Sequence, residues 1–333
     1  MYGTPILLHC HTNHSDGTFT PLALAEAARE AGYQGMALTD HNTCSGCDAY
    51  YMEENIDFPM LRSMEWTTYY GHMLVFGIEE IVDWRDADLF NIDTKIAEVK
   101  AKGGLVGIAH PFDPGNPICT GCHWEFDVHN WENVDAIEIW NGEFPELSPF
   151  SSRSYALWKE KVCAGEHLFA TAGRDWHRKS ASKCRPAINF LGLEGNVSAK
   201  KIKEALQKGH ILCSLGPGVS LKVTAEGKPI QPGDSLFAYD RICLDVQSVA
   251  ANLPVFADSV YQVKRWQLSL NDRVLAVTER DDSSRSSDLS FHFEGKVEEG
   301  ALFLEAFGTV DDGPETPLVV AAPFYVIPSR RAR

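Results

Sequence analysis

Short apolar runs alternate with helix-like stretches over the first two-thirds of the chain. Each apolar run is only as long as a β-strand, and most are followed by a stretch with the apolar spacing of a helix. This alternation predicts a parallel sheet with helical crossovers. The predicted strands lie at 6–8, 36–38, 59–61, 73–76, 105–109, 136–140 and 168–172.

Residues that begin and end helices support this assignment. Thr20 is a favourable N-cap, Pro21 fits the first helical turn, and Gly32 is a typical residue just after a helix. Further helices are predicted at 91–102, 149–164 and 198–208.

Beyond Gly216 the apolar positions alternate with period two, which is typical of strands with one buried face. The pattern predicts two domains: an α/β domain over residues 1–215 and a small all-β sandwich over residues 216–333. The alternating runs lie at 219–223, 242–246, 266–270, 289–293 and 302–306.

Histidines and carboxylates stand at or near the ends of the predicted strands in the first domain. His9 and His11 are two residues apart on a strand, so they share a face and can bind one metal ion together. Because the C-terminal strand ends of a βα-barrel meet at one face, the pattern favours that fold and an active site there. The candidate ligands are His9, His11, Asp16, His41, Glu65, His72, His110, Asp175 and His177.

Composition narrows the class of protein further. Apolar residues make up 44 % of the chain, and no apolar run reaches the ~18–20 residues needed to span a bilayer. The N-terminus lacks the pattern of a signal peptide, so we expect a soluble, cytoplasmic protein of undetermined oligomeric state. A net charge of -16 argues against tight nucleic-acid binding but leaves open a small phosphorylated substrate.

The polar motifs resemble those of the PHP (polymerase and histidinol phosphatase) metal-dependent phosphoesterases. The shared elements over residues 9–177 are His-x-His with a trailing Asp, Thr-Asp-His, a Glu after the third strand, Gly-His, Ala-His-Pro and Asp-x-His. The Gly71-His72 pair, the cysteine-containing loop after Pro111, the stretch at 139–142 and the appended β domain most resemble the carbaryl-hydrolase-like branch. The resemblance implies a distorted, TIM-like seven-stranded βα-barrel.

The resemblance also implies two to three divalent metal ions shared among the nine ligands. A mixture of imidazole and carboxylate suits zinc, manganese or iron. Glu65 would bridge two of the ions. The implied sets are His9, His11, Glu65 and Asp175 for one ion, Glu65, His72 and His110 for a second, and Asp16, His41 and His177 for a third.

Two neighbouring ions can share a hydroxide whose pKa is lowered towards neutrality, and this hydroxide is the expected nucleophile. The leading prediction is hydrolysis of a small phosphorylated molecule: a phosphomonoester, a nucleotide or a cyclic phosphodiester. Hydrolysis of a non-phosphate ester or carbamate is one alternative. A non-catalytic metal-binding module is the other.

Further residues are candidates for catalysis or substrate binding. Arg174 stands where a small residue is common in the family, and it could clamp a phosphate; pairing with an acidic loop is the alternative. His14 could donate a proton to the leaving group or be a plain loop histidine. Glu138 and Asn141 lie at a strand end and could contact substrate, orient a ligand or make structural hydrogen bonds. Asp40 is expected to orient a loop.

Two CxxC pairs lie in loops after predicted barrel strands, Cys44 with Cys47 and Cys119 with Cys122. Loops on one face of a barrel could bring the four thiols together in a structural zinc site. Separate reduced thiols are the alternative. A redox pair is disfavoured because neither CxxC is expected to open a helix.

Overall fold

A computed structural model describes residues 1–54, 56–115, 121–180, 184–257, 260–281 and 288–329. Strands dominate it. In chain order they are β1 (Thr4–Ile6), β2 (Met36–Leu38), β3 (Met60–Thr68), β4 (Gly71–Phe76), β5 (Leu105–Ile108), β6 (Ala136–Asn141), β7 (Phe169–Gly173), β8 (Ile188–Leu191), β9 (Ile211–Ser214), β10 (Pro217–Ala225), β11 (Lys228–Ile230), β12 (Ser235–Phe237), β13 (Arg241–Ala250), β14 (Tyr261–Leu270), β15 (Arg273–Glu279), β16 (Ser290–Lys296), β17 (Gly300–Val310), β18 (Thr316–Ala321) and β19 (Phe324–Ile327).

The α-helices all lie in the first part of the described chain. The Thr20 side chain caps the first helix by accepting from the Ala23 N–H, and Gly32 ends it at φ 99°, a conformation that favours glycine. The sequence signals at both ends of this helix are therefore confirmed. The helices are α1 (Pro21–Ala31), α2 (Ser45–Met52), α3 (Ile92–Ala101), α4 (Pro149–Cys163) and α5 (Ala199–Gln207).

Strands β2 to β7 form a sheet in sequence order, with six strands among the described residues. The pairs β2–β3, β5–β6 and β6–β7 are parallel, as the alternating pattern predicts. The pairs β3–β4 and β4–β5 are antiparallel instead. Only Tyr69 and Tyr70 separate β3 from β4, and so short a connection can join only antiparallel strands.

The first strand does not join this sheet by a regular ladder. Strand β1 pairs antiparallel with β8. Immediately after β1, Leu7 bridges to Met36 at one edge of the six-stranded sheet, and Cys10 bridges to Trp176 just beyond the other edge. Both edges thus approach residues 7–10, which means that the sheet is curled. Ladder pairing among the described residues does not close a seven-stranded barrel.

The second part of the chain is rich in β-structure, as predicted. Strands β11, β10, β13 and β16 form one sheet in that order. A larger sheet has the order β1-β8-β9-β18-β17-β14-β15, with β19 pairing β17 and β12. Because β9 pairs with β18, strands from both sides of the predicted boundary at residues 215/216 share a sheet. The division into two domains stays a prediction.

A buried charge also joins α4 to β17. Glu305 on β17 is fully buried, and it accepts hydrogen bonds from the Tyr155 hydroxyl and, at 2.9 Å, from Lys159 Nζ. Lys159 Nζ also lies 4.7 Å from the centre of the Phe303 ring. A buried carboxylate is stable only when such partners replace its lost hydration. No helix within the described ranges is long and apolar enough to cross a membrane.

We expect Glu305→Gln to lower the free energy of unfolding by about 2 kcal/mol, because a hydrogen-bonded charge is lost while Lys159 keeps its own. Urea denaturation of the metal-free protein measures this. Glu298→Gln is the matched control, since Glu298 pairs with Arg273 at an exposed position and should change stability by less than about 1 kcal/mol. Equal effects of the two substitutions would contradict this account.

Candidate metal centre

The nine predicted ligands converge in the structure. His9 and His11 follow β1, His41 follows β2, and His110 follows β5. Glu65 lies inside β3, not at its end, because that strand continues into the hairpin with β4. His72 lies on β4, directly across this hairpin from Thr67. The curled sheet therefore gathers side chains from strands that are distant in sequence. Asp175 and His177 follow β7, and Asp16 follows the His9–His11 segment.

Two of the candidate ligands have strained backbones. His110 has φ 25° and Asp175 has φ 50°, in the region of positive φ that non-glycine residues rarely adopt. Residues persist in such conformations when the surrounding structure holds them there, and they cluster at functional sites. In this protein the strained positions come directly after β5 and β7, where each side chain turns into the cluster.

The Glu65 carboxylate lies at the centre of the cluster and is fully buried. Its Oε2 atom is 3.2 Å from His9 Nε2, and its Oε1 atom is 2.8 Å from His72 Nδ1. Both oxygens are therefore surrounded by imidazole nitrogens. The remaining contacts are Oε2 to His11 Nε2 at 3.3 Å, Oε2 to His41 Nδ1 at 3.1 Å, and Oε1 to His110 Nε2 at 3.1 Å.

Three overlapping groups of ligand atoms result, each with its atoms within 4.8 Å of one another. The first matches the set implied for one ion. The other two differ from the implied sets, because His41 joins Glu65 and His72, and His11 joins the outer group. His110 contacts the Glu65 carboxylate without joining a group. The groups are His9, His11, Glu65 and Asp175; His41, Glu65 and His72; and His11, Asp16, His41 and His177.

Several of the candidate donor atoms fit metal ions better than they fit one another. His9 Nε2 and Asp175 Oδ1 are 3.3 Å apart, yet both atoms are buried and neither has a hydrogen-bond partner in the described part of the chain. Ligand atoms that converge on a point without bonding to each other are the arrangement that a cation completes. The other buried atoms of the cluster without a hydrogen-bond partner are His11 Nδ1 and Nε2, Glu65 Oε2, His72 Nε2 and His110 Nδ1.

The pKa values show a site that favours positive charge. Burial alone raises the pKa of Glu65, but the imidazoles of His9 and His41 outweigh it and hold that pKa well below its usual value. Burial lowers the pKa of His11, yet the carboxylates of Asp175 and Glu65 raise it to about 9. The same carboxylates that raise the pKa of His11 would also stabilise a bound divalent cation.

The ligand His41 behaves differently from His11. Burial lowers the pKa of His41 to about 4, and the neighbouring His11 and His72 lower it further. The carboxylates of Glu65 and Asp16 raise this pKa but do not compensate for the lowering. A neutral imidazole is the form that coordinates a metal. His41 lies towards the open end of the cluster with 18 % of its side chain exposed, and Asp16 is exposed at 58 %.

Glu138 positions one of the ligands. His9 Nδ1 donates to Glu138 Oε2 at 2.9 Å, which leaves His9 Nε2 facing Glu65 and Asp175. Carboxylates commonly orient metal-binding histidines in this way. Glu138 is buried below His9 and does not line the cavity, so of the roles considered for it the structure supports orientation, not substrate contact. A Cβ on Gly173 would lie 2.2 Å from Glu138 Oε2, so this close approach requires glycine.

Asp40 orients a loop, as expected from the sequence. Its carboxylate accepts from the Thr12 N–H at 2.6 Å, from the Thr12 hydroxyl at 2.7 Å and from the Ser15 hydroxyl at 2.8 Å. These bonds fix the turn between His11 and Asp16. Asp40 belongs to none of the candidate metal groups among the described residues.

A cavity of about 630 Å³ opens above the cluster. Asp16, His41 and His72 belong to its lining, so the candidate metal centre is accessible to a small molecule. Asn141 also lines it and donates from Nδ2 to Asp113 Oδ2 at 3.0 Å. Other lining residues include His110, Glu143, Arg174, Asp175, Trp176, His177, Arg178, Lys179 and Ser180.

Arg174 is a buried cation in the cavity wall. Its guanidinium carbon lies 3.5 Å from the centre of the Trp176 ring, and its Nη2 donates to Ser180 Oγ at 3.2 Å and Cys184 Sγ at 3.3 Å. Its Nε has no hydrogen-bond partner in the described ranges. No carboxylate among the described residues forms an ion pair with it; Ser180, which donates to Glu143, stands between. Arg174 thus keeps donor capacity beside the candidate ligand Asp175.

His14 is not part of the cavity wall. It is exposed, and its Nδ1 lies 2.9 Å from Ser45 Oγ on the neighbouring loop. The cavity lining does not include it. The position of His14 therefore gives no support to the proton-donor role considered for it and agrees with a plain loop histidine.

The CxxC pairs do not assemble a zinc site in the described part of the chain. Cys44 and Cys47 are buried beside the Ser63 carbonyl, whereas Cys122 lines the cavity; Cys119 lies outside the described residues. Contrary to the sequence expectation, Cys44 is the N-cap of α2, so this CxxC does open a helix. The hydrogen bond with Cys47 lowers the pKa of Cys44, but burial keeps both thiols from solvent.

Several wall residues were not found from the sequence. Asp113, Glu143 and Ser180 line the cavity, and each follows shortly after a strand end that carries a candidate ligand or orienting group. This position shortly after a strand end is the sequence feature that could have identified them. A link to the β-rich part supports the wall, because Arg185 pairs with Glu146 on one side and Asp311 on the other.

Comparisons with known proteins agree with this site. Residues 8–57, which carry His9, His11, Asp16 and His41, match the PHP domain family model. An uncharacterized protein of Methanocaldococcus jannaschii is 24 % identical over 147 residues, covering 40 % of this chain and 80 % of the relative.

A solved structure from Bacteroides vulgatus, a two-domain protein containing a predicted PHP-like metal-dependent phosphoesterase, aligns with a TM-score of 0.51. The alignment covers 95 % of this chain and 94 % of that one at 14 % identity. This likeness concerns the fold, and it extends over both the mixed α/β part and the β-rich part.

We expect Glu65→Gln and His9→Ala each to weaken metal binding by about 100-fold or more, since each removes a donor from a set whose supporting residues alone contribute 10–100-fold. Elemental analysis after gel filtration measures the metal bound per chain. His129→Ala is the control, because His129 is an exposed histidine outside the cluster. Unchanged metal content in Glu65→Gln would refute the assignment.

Proposed function

We propose that this protein is a metal-dependent hydrolase, acting most readily as a phosphoesterase on a small phosphorylated molecule. The observation that carries the proposal is the convergence of nine imidazole and carboxylate side chains below a cavity lined by Arg174, a guanidinium with no ion-pair partner among the described residues. The matched PHP domain and the two-part fold support it. The carbaryl-hydrolase-like branch is the subgroup that the motifs favour.

The nine ligands would hold two to three divalent ions, with zinc, manganese and iron the metals that this mixture of donors suits. Bound ions would polarise the substrate and lower the pKa of a water molecule, so that a hydroxide nucleophile is available near neutral pH. Glu65, with a histidine nitrogen within 3.2 Å of each oxygen, would be the residue that bridges two ions. Glu138 keeps His9 turned towards that position.

Arg174 is the residue proposed to bind the reacting group. Stacking on Trp176 holds its guanidinium plane, and its buried Nε has no hydrogen-bond partner among the described residues. A guanidinium binds phosphoryl oxygens in a fork geometry and neutralises the charge that grows on them during hydrolysis. Arg174 immediately precedes Asp175, so the guanidinium would lie next to the proposed metal ligands.

A non-phosphate ester or carbamate is the second candidate substrate. The carboxylates of Asp113 and Glu143 share the cavity lining, and they would repel a phosphate dianion while tolerating a neutral substrate. Arg178 and Lys179 in the same lining act in the opposite sense. The balance between these groups decides the substrate class.

A substrate panel separates these functions. We expect the protein loaded with Mn, Zn or Fe to hydrolyse p-nitrophenyl phosphate or a nucleotide, with the Glu65→Gln variant as the inactive control. Turnover of carboxyl esters or carbamates only would replace the phosphoesterase proposal by the second candidate. Absence of turnover on every substrate, with metal content verified, would indicate a non-catalytic metal-binding module.

We expect Arg174→Ala to lower kcat/KM on the best substrate by about 100-fold, the typical effect of removing one donor to a developing oxyanion. Arg174→Lys should recover only part of this loss, because lysine keeps the charge without the fork. Metal content should equal that of the wild type in both variants. Arg273→Ala, at an exposed position in the β-rich part, is the control, and an unchanged kcat/KM in Arg174→Ala would remove Arg174 from the mechanism.

A further inference from the structure

A second group of metal-ligand side chains lies on the exposed face of the four-stranded sheet. Strands β13 and β16 pair antiparallel, with Asp245 directly opposite His292. Cys243 is two residues before Asp245, so the two side chains share one face of β13. The alternate residues Ile242, Leu244 and Val246 are buried on the other face, so the face that carries Cys243 and Asp245 points away from the core.

The three side chains approach closely enough to bind one ion. The thiol, one carboxylate oxygen and one imidazole nitrogen all lie within 4.8 Å of one another. His292 Nδ1 is 2.7 Å from Asp245 Oδ1, and both side chains are more than half exposed. Glu294, which faces Cys243 across the strands, already pairs with Arg241. Three candidate ligands thus meet at this position among the described residues.

From this geometry we propose that Cys243, Asp245 and His292 form a binding site for a thiophilic transition-metal ion, with Zn²⁺ as the representative. Thiolate and imidazole select zinc, cobalt, nickel or copper over Mg²⁺ and Ca²⁺, which prefer oxygen ligands only. Binding releases the Cys243 thiol proton to solvent, so that a thiolate–metal bond replaces the S–H bond.

This site is distinct from the candidate metal centre. It shares no residue with the nine ligands, and it lies on a different sheet. The candidate metal centre contains only imidazole and carboxylate donors, whereas this site adds a thiolate. A bound ion would tie β16, which is at the edge of its sheet, to the neighbouring β13. The proposal does not depend on the hydrolase function.

Cobalt(II) titration of the full-length, reduced protein tests the site, because a Co²⁺–thiolate bond gives a near-ultraviolet charge-transfer band that imidazole and carboxylate ligands do not. We expect wild type to develop this band and Cys243→Ser to lose the component that corresponds to one cobalt per chain. His292→Ala should raise the apparent Kd of that component by about 10-fold or more, since one of three ligands is removed. Zinc bound per chain should fall by one in Cys243→Ser.

Cys163→Ser is the matched control. Cys163 is a partly buried thiol whose Sγ lies 3.6 Å from Asp272 Oδ1, and it belongs to no candidate metal group among the described residues. It should keep the full band. A band of equal size in Cys243→Ser would place the cobalt on other thiols and overturn the proposal, as would the absence of any band in wild type. Asp245→Asn and His292→Ala alter exposed side chains, so they test the site even if Cys243→Ser unfolds.

Discussion

The buried Glu65 carboxylate is the interaction on which the rest of the site depends. A carboxylate with no exposed surface loses its hydration, and only close partners can compensate for that loss. Here the partners are imidazoles from four other parts of the chain, and those of His9, His41, His72 and His110 each have a nitrogen within 3.2 Å of its oxygens. The cluster is therefore an electrostatic unit whose members hold one another in place, with several donor atoms left for metal ions.

The curl of the six-stranded sheet brings those imidazoles close to Glu65. The β3–β4 hairpin places His72 on the strand next to Glu65, and the short bridges from residues 7–10 to both edges of the sheet bring His9 and His11 over the same spot. Strained backbones at His110 and Asp175 turn two further side chains inward. Local strain of this kind is maintained by the surrounding packing, so the site and the fold stabilise each other.

The β-rich part is integral to this arrangement. Strand β9 from the α/β part pairs with β18, Glu305 receives the Tyr155 and Lys159 side chains, and Asp311 holds Arg185 near the cavity wall. The Asp311–Arg185 pair supports the cavity wall, because the Arg185 N–H donates to the carbonyl of the lining residue Glu143. The residues Cys243, Asp245 and His292, on the four-stranded sheet, take no part in the contacts just named.

The sequence by itself determined the candidate ligands, the alternation of strands and helices and the β-rich second part, because these depend on local periodicity and on residue chemistry. It also identified Asp40 as a loop-orienting residue. Only the tertiary structure decided that Glu65 is central within β3, that β3 and β4 are antiparallel, and that Glu138 supports His9.

The tertiary structure also decided that His14 lies outside the cavity and that Cys44 opens a helix. Asp113 and Glu143 share the cavity wall with Arg174, which is likewise a result of the tertiary structure. These features depend on which strands pair and on the direction of their side chains. Both result from long-range packing, which local sequence patterns do not predict.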